Sequence, residues 1–113
     1  SRGLGDVYKR QPACSAYAAA KGGVIGFTKT IAAETAADGI RCNTIHPGLI
    51  DTKMQRQSSV DNPEEYVKLN AAVPMGYMGP PHTIADAALF LVSDLSTYMT
   101  GAQMVIDGGL INQ

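Results

Sequence analysis

Apolar side chains recur at helical spacing in the first half of the chain. Val24, Ile25, Thr28, Ile31 and Ala32 form one stripe, and Asp38-Gly39 supplies a stop, so the pattern predicts a helix over 15–37. The run "IRCNTIHPG" is β-prone over 40–45, and Pro47-Gly48 ends it, which predicts a strand running into a loop. Residues 49–62 are polar and irregular and predict no element. In "NPEEYVKLNAA", Asn62 can cap, Pro63 fits the first helical position and Glu64 and Glu65 suit the first turn, so a short helix is expected there.

After the Pro/Gly-rich connector "PMGYMGPP", Thr83 and Asp86 have capping-box spacing. Ile84, Ala87, Ala88, Leu91 and Val92 then share a face, predicting a helix over 84–93. "QMVIDGG" is a short apolar run closed by Asp107-Gly108-Gly109, with the length and composition of a buried strand. Helix, strand, two helices and strand in that order imply a helical crossover and parallel pairing, the C-terminal part of an open α/β sheet. Two strands cannot cover both faces of such a sheet, so further strands and helices are expected beside them.

Residues 1–11, "SRGLGDVYKRQ", show neither period, and "GDVYKRQ" resembles translated adapter sequence. They are expected to be non-native or disordered, with 12–113 carrying the fold. A length of 113 residues with 45% hydrophobic and 17% charged side chains fits one small globular domain and argues against disorder. The net charge of -1 offers no electrostatic footprint for nucleic acid or an anionic membrane. Cys14 and Cys42 lack CxxC spacing and nearby His ligands, so they are expected to be structural thiols, with no metal site. Lys21, Lys29 and Glu34 interrupt the longest apolar stretch, which excludes it as a span; without a disulfide framework or signal peptide the expected compartment is cytoplasmic.

Candidate chemistry lies in "SAYAAAKGG". Tyr17 and Lys21 are four residues apart, on one helix face one turn apart, among small residues. A nearby ammonium favours the phenolate, and lowering a tyrosine pKa by about three units corresponds to about 4 kcal/mol of differential interaction. Such a pair could pass a proton to or from a substrate oxygen. Helices hold many Tyr-x-x-x-Lys spacings in which the tyrosine is packed and the lysine solvated, so the spacing by itself leaves both readings open.

Further motifs follow in order: Y-A-A-A-K at 17–21, I-R-C-N-T-I-H-P-G-L-I-D-T at 40–52 and Y-M-T-G-A-Q-M-V-I-D-G-G at 98–109. With these the chain resembles the C-terminal half of the short-chain dehydrogenase/reductase family, non-extended type, over residues 12–113. The resemblance implies part of a doubly wound, parallel-sheet Rossmann fold, here about two strands and three helices. It implies an NAD- or NADP-dependent oxidoreductase that interconverts a secondary alcohol and a ketone. Tyr17 would be the general acid/base, and Lys21 would assist it and hold the nicotinamide ribose. Pro47, Gly48, Ile50 and Thr52 would lie against the nicotinamide. A homotetramer is also implied, for which the small-residue face Ala18, Ala19, Gly22, Gly23 and Gly26 is suited.

The position of the family's serine, thirteen residues before Tyr17, is Leu4, and Ser15 is too near to replace it. The glycine-rich phosphate loop and the residue choosing NAD or NADP do not occur in these 113 residues. By itself the chain is therefore expected to bind cofactor poorly and to be inactive. "HPGLIDTKM" leans toward relatives acting on cyclic alcohols or hydroxysteroids over 3-oxoacyl carrier-protein reductases. His46 is expected to be structural or rim-lining, and His82 exposed. Met54, Met75 and Met78 fall where the resemblance implies a substrate lid, lining a pocket or packing a core; Tyr77 replaces a common arginine for no physical reason we can give. The alternatives are a catalytically silent nucleotide-binding or interaction module of the same fold, or a product truncated in assembly.

Overall fold

In a computed structural model, residues 14–110 are described; residues 1–11, expected to be non-native or disordered, lie outside them. Helix α1 (Cys14–Thr35) continues into a 3-10 turn (Ala36–Asp38) and stops at Gly39, whose left-handed φ of 76° lets its N–H reach the Ala36 carbonyl. Strand β1 (Thr44–Pro47) follows. Helices α2 (Lys53–Asp61), α3 (Pro63–Ala72) and α4 (Pro81–Val92) form the crossover to β2 (Gln103–Ile106). The strands pair in parallel, Thr44 opposite Gln103 through Pro47 opposite Ile106, as the order of elements predicts.

β1 begins later than expected, at Thr44 instead of residue 40, and includes Pro47. Residues 41–43 are held by the 96–102 turn instead of by a regular ladder. The Arg41 guanidinium donates to the carbonyls of Leu91 (2.8 Å) and Met99 (3.2 Å), and the Asn43 side chain donates to Met99 O and accepts from Ala102 N–H. Pro47 is tolerated because Thr44 and Gly48 donate to Ala102 and Ile106, both at 2.9 Å. Alternate residues face the partner strand, so the N–H that Pro47 lacks would point away from β2.

The 49–62 stretch, expected to be irregular, contains α2. Its nine residues lack an apolar stripe, and the Thr52 hydroxyl instead caps it by accepting the Gln55 N–H at 3.3 Å. Among the described residues there are therefore four α-helices where about three were expected. α3 starts as predicted, with Asn62 accepting from Glu65 N–H and Pro63 leading. α4 starts at Pro81, three residues early. The Thr83 hydroxyl donates to the Pro80 carbonyl (2.7 Å), and Asp86 faces His82 (3.2 Å), so no Thr83–Asp86 capping box forms.

The core lies where α1 and α4 meet the strands. Ala32, Ala87 and Leu91 are buried there, with Thr28 and His46 among the buried polar residues, while Val24 of the predicted stripe stays half exposed. Val73 and Met78 are buried in the connections after α3. Large apolar side chains such as Phe27, Leu89 and Val92 remain exposed, as expected when only two strands of a sheet carry the helices.

Candidate functional site

Six residues proposed from sequence fall into two groups. Tyr17 and Lys21 form the first, near the N-terminal end of α1. Residues 15–20 are all exposed, and the Lys21 ammonium lies over the Tyr17 ring at 5.9 Å from its centroid, within cation–π reach. One turn of helix thus brings a phenol and a cation together on an accessible face. The opposite third of α1, at Thr28 and Ala32, is the buried part, and Ala32 packs close to Gly101 just before β2.

Pro47, Gly48, Ile50 and Thr52 form the second group, a continuous rim leaving the C-terminal end of β1. Gly48 lies so close to the end of β2 that a Cβ on it would stand 2.5 Å from Asp107 Cβ and 2.7 Å from Asp107 Cα. Its φ is not left-handed, so close approach alone requires glycine there. Residue 50 forms a parallel bridge with Gly79, made by Gly79 N–H to Leu49 O and Asp51 N–H to Gly79 O, both 2.9 Å. That pattern turns the N–H and carbonyl of Ile50 away from Gly79, and the carbonyl accepts Thr52 N–H at 2.9 Å. A backbone donor and acceptor side by side match the amide donor and carbonyl acceptor of a carboxamide. Thr52 caps α2 through its oxygen lone pair, which leaves the hydroxyl hydrogen able to donate.

His46 is buried and exchanges a 2.8 Å hydrogen bond through Nε2 with the Thr44 hydroxyl on the same strand face, a structural contact. His82 is largely exposed, as expected. Of the three methionines, Met78 is packed in the core while Met54 and Met75 are exposed. Cys42 is a free, half-buried thiol. It borders a concavity of about 520 Å³ between the 39–43 loop, Ile45 and α4, which includes none of the six candidate residues. Among the described residues no cluster of His, Cys, Asp or Glu could hold a metal, and no helix is long and apolar enough to cross a membrane.

Asp51 and Tyr66 were not singled out from sequence. Tyr66 Oη donates to Asp51 Oδ2 at 3.0 Å, joining the rim to α3. That bond to the carboxylate, then burial and the carboxylate's charge, raise the Tyr66 pKa above its ordinary value, against smaller opposing effects of Asn70 and Arg56. Asp51 Oδ1 is buried with no hydrogen-bond partner among the described residues.

A two-stranded parallel sheet with crossover helices defines part of an α/β fold of the Rossmann class. The family model described as "Enoyl-(Acyl carrier protein) reductase" matches residues 6–111. The chain belongs to the short-chain dehydrogenase/reductase family. It is 46% identical over 99 residues to a 3-oxoacyl-(acyl-carrier-protein) reductase of Chlamydia trachomatis, covering 88% of this chain and 39% of that protein. An oxidoreductase of the same family from Burkholderia thailandensis superposes with a TM-score of 0.76 at 38% identity, over 87% of this chain and 39% of that one. A 4-hydroxyisoleucine dehydrogenase solved with NADH gives 0.78 at 31%, over 92% and 42%. The chain thus spans about two fifths of the length of these relatives.

Proposed function

We propose that the chain supplies the proton-transfer and nicotinamide-side portion of an NAD(P)-dependent oxidoreductase interconverting a secondary alcohol and a ketone. The observation that carries this is the Tyr17–Lys21 pair, with the ammonium over the phenol ring, on a helix packed against the strand that delivers Pro47 and Gly48. α1 is buried at its C-terminal end near the start of both strands. Its other end lies about 16 Å away along the helix, at 1.5 Å per residue from Thr28 to Tyr17, where the side chains are exposed.

In this reading the Ile50 backbone and the Thr52 hydroxyl hold the carboxamide, and Pro47 and Gly48 set the face presented to substrate. A bound nicotinamide supplies or accepts the hydride. Tyr17 Oη gives its proton to the carbonyl oxygen during reduction and takes one from the alcohol during oxidation, and Lys21 stabilises the phenolate left behind. The similarity to a 3-oxoacyl-(acyl-carrier-protein) reductase moves the substrate class toward 3-oxoacyl thioesters, away from the cyclic alcohols toward which the 46–54 stretch leans. The open small-residue face of α1, where a Cβ added at Gly22, Gly23 or Gly26 would meet no other part of the described residues within 4 Å, leaves room for a second subunit's helix in a tetramer. Residues 1–11 stand in this reading as a non-native segment ahead of the domain at 12–113.

The test is to sequence the genomic DNA across codons 1–15 and upstream, express the recovered frame, and follow NAD(P)H at 340 nm with a 3-oxoacyl thioester and a cyclic ketone. A glycine-rich loop, a serine thirteen positions before Tyr17, and turnover that falls by about 10²–10⁴-fold in Tyr17→Phe are expected. A start codon with no such half would overturn the proposal and favour the silent module, and full activity in Tyr17→Phe would overturn the role given to Tyr17.

A further inference from the structure

The rim and the α2–α3 hairpin meet at Asp51. Residues 49–51 are extended beside Gly79, with Ile50 Cδ1 3.1 Å from where a Gly79 Cβ would stand. Alternation places Asp51 on the opposite side from Ile50, where Tyr66 of α3 meets it. α2 and α3 pack principally on each other, so as a unit they depend on a few polar fasteners. On the return side Asn70 Oδ1 accepts Met78 N–H at 2.8 Å. On the rim side the fasteners converge on one residue: Tyr66 Oη bonds the Asp51 carboxylate, and Arg56 Nη1 donates to the Asp51 carbonyl at 3.2 Å.

The rim-side fastening has an internal cost. A hydrogen bond to a carboxylate is among the stronger ones, but Asp51 Oδ1 is buried without a partner among the described residues, and stranding an acceptor costs about as much as one such bond contributes. Opening the hairpin rehydrates that oxygen. The rim-side fastening is therefore weaker than a fully satisfied carboxylate bond, which makes it the side of the hairpin that opens first.

We propose that Asp51 is a positioning residue of this site: through the Tyr66 hydroxyl it latches the α2–α3 hairpin beside the 47–52 rim, and the latched hairpin is the arrangement that holds bound substrate against the rim. This rests on the reading of the rim as the nicotinamide-side wall. Tyr66→Phe removes the donor while keeping the ring, and Asp51→Asn keeps the shape while removing the charge.

Two measurements test it. Amide hydrogen exchange should rise about three- to tenfold over 53–72 in either variant, no further in the double variant, and not at all over 44–47 and 103–106. In the full-length enzyme the same variants should raise KM several-fold and leave kcat within about twofold. Unchanged exchange, a rise spread over the whole chain, or an additive double variant would overturn the latch. The predicted exchange pattern with kcat reduced and KM unchanged would overturn the positioning role. Absence of turnover in the wild-type enzyme would instead sink the functional reading and the positioning role with it, while the exchange pattern still decides the latch.

Discussion

Replacing Gly48 by alanine tests whether the rim glycine is fixed by the strand crossing. The added methyl would stand 2.5 Å from Asp107 Cβ and 2.7 Å from its Cα. Carbon pairs rest at about 3.5–4.0 Å, so at least about 1 Å of relief is needed. Asp107 Cα is backbone, and no rotamer change removes the overlap. The strand ends must separate, which loosens the Gly48 N–H to Ile106 O bond at 2.9 Å. Overpacking strain of about 1–3 kcal/mol and a weakened bond of about 1 kcal/mol oppose the gain of about 0.5–1 kcal/mol from stiffening the unfolded chain. A net loss of about 1.5–3 kcal/mol is expected in urea unfolding followed by far-UV circular dichroism. Gly26→Ala is the control: within α1 its added Cβ would meet nothing else among the described residues within 4 Å, and it should stabilise by about 0.5–1 kcal/mol. Gly48→Ala within about 0.5 kcal/mol of wild type would show that the strand ends yield easily and refute the reasoning.

Asn43→Ala should cost about 1–3 kcal/mol in the same assay, because Ala102 N–H loses its acceptor. Combined with Arg41→Ala, it strips Met99 O of both side-chain donors, so the double variant should lose about 1 kcal/mol more than the two singles predict. The raised Tyr66 pKa means that its contribution is complete below the unfolded tyrosine pKa of about 10 and is lost as pH rises through the folded value. Urea midpoints should accordingly fall more steeply above about pH 10 in wild type than in Tyr66→Phe. His82→Ala should change unfolding by less than about 0.5 kcal/mol, since both members of its pair with Asp86 are more than 70% exposed.

Elements with strong local signals were legible in the sequence. The left-handed stop at Gly39, the Asn62-Pro63 start of α3 and the apolar run of β2 all depend on residues adjacent in the chain. α2 escaped because "KMQRQSSVD" has no apolar stripe and Met54 and Val60 are exposed; the available signal was Thr52 followed three residues later by Gln55, a capping-box pattern. At α4, Thr83 and Asp86 drew the start inward, whereas the proline at the first helical position marked the true one. β1 was misplaced because Arg41 and Asn43 are held by residues 50 or more positions away. In the candidate site the Tyr17–Lys21 proximity follows from helix spacing alone. The Asp51–Tyr66 bond depends on how a hairpin folds back, which no local pattern states.

Pro47 and Gly48 form one motif by resemblance, yet the structure gives them separable roles. Gly48 supplies a ladder N–H and the close approach to Asp107, so loss of activity on changing it does not demonstrate contact with a ligand. Pro47 supplies no N–H, lies out of phase with the bonds to β2 and is exposed. Pro47→Ala therefore leaves the β1–β2 ladder intact and should shift unfolding by less than about 1 kcal/mol, chiefly through a more flexible unfolded chain. If Pro47 lies against the nicotinamide, the same substitution should weaken NAD(P)H binding by the full-length enzyme several-fold in a fluorescence titration. Unaltered affinity with unaltered stability would remove Pro47 from the site and leave Ile50 and Thr52 as its cofactor-facing part. Lost stability with unaltered affinity would show that the proline stiffens the strand end.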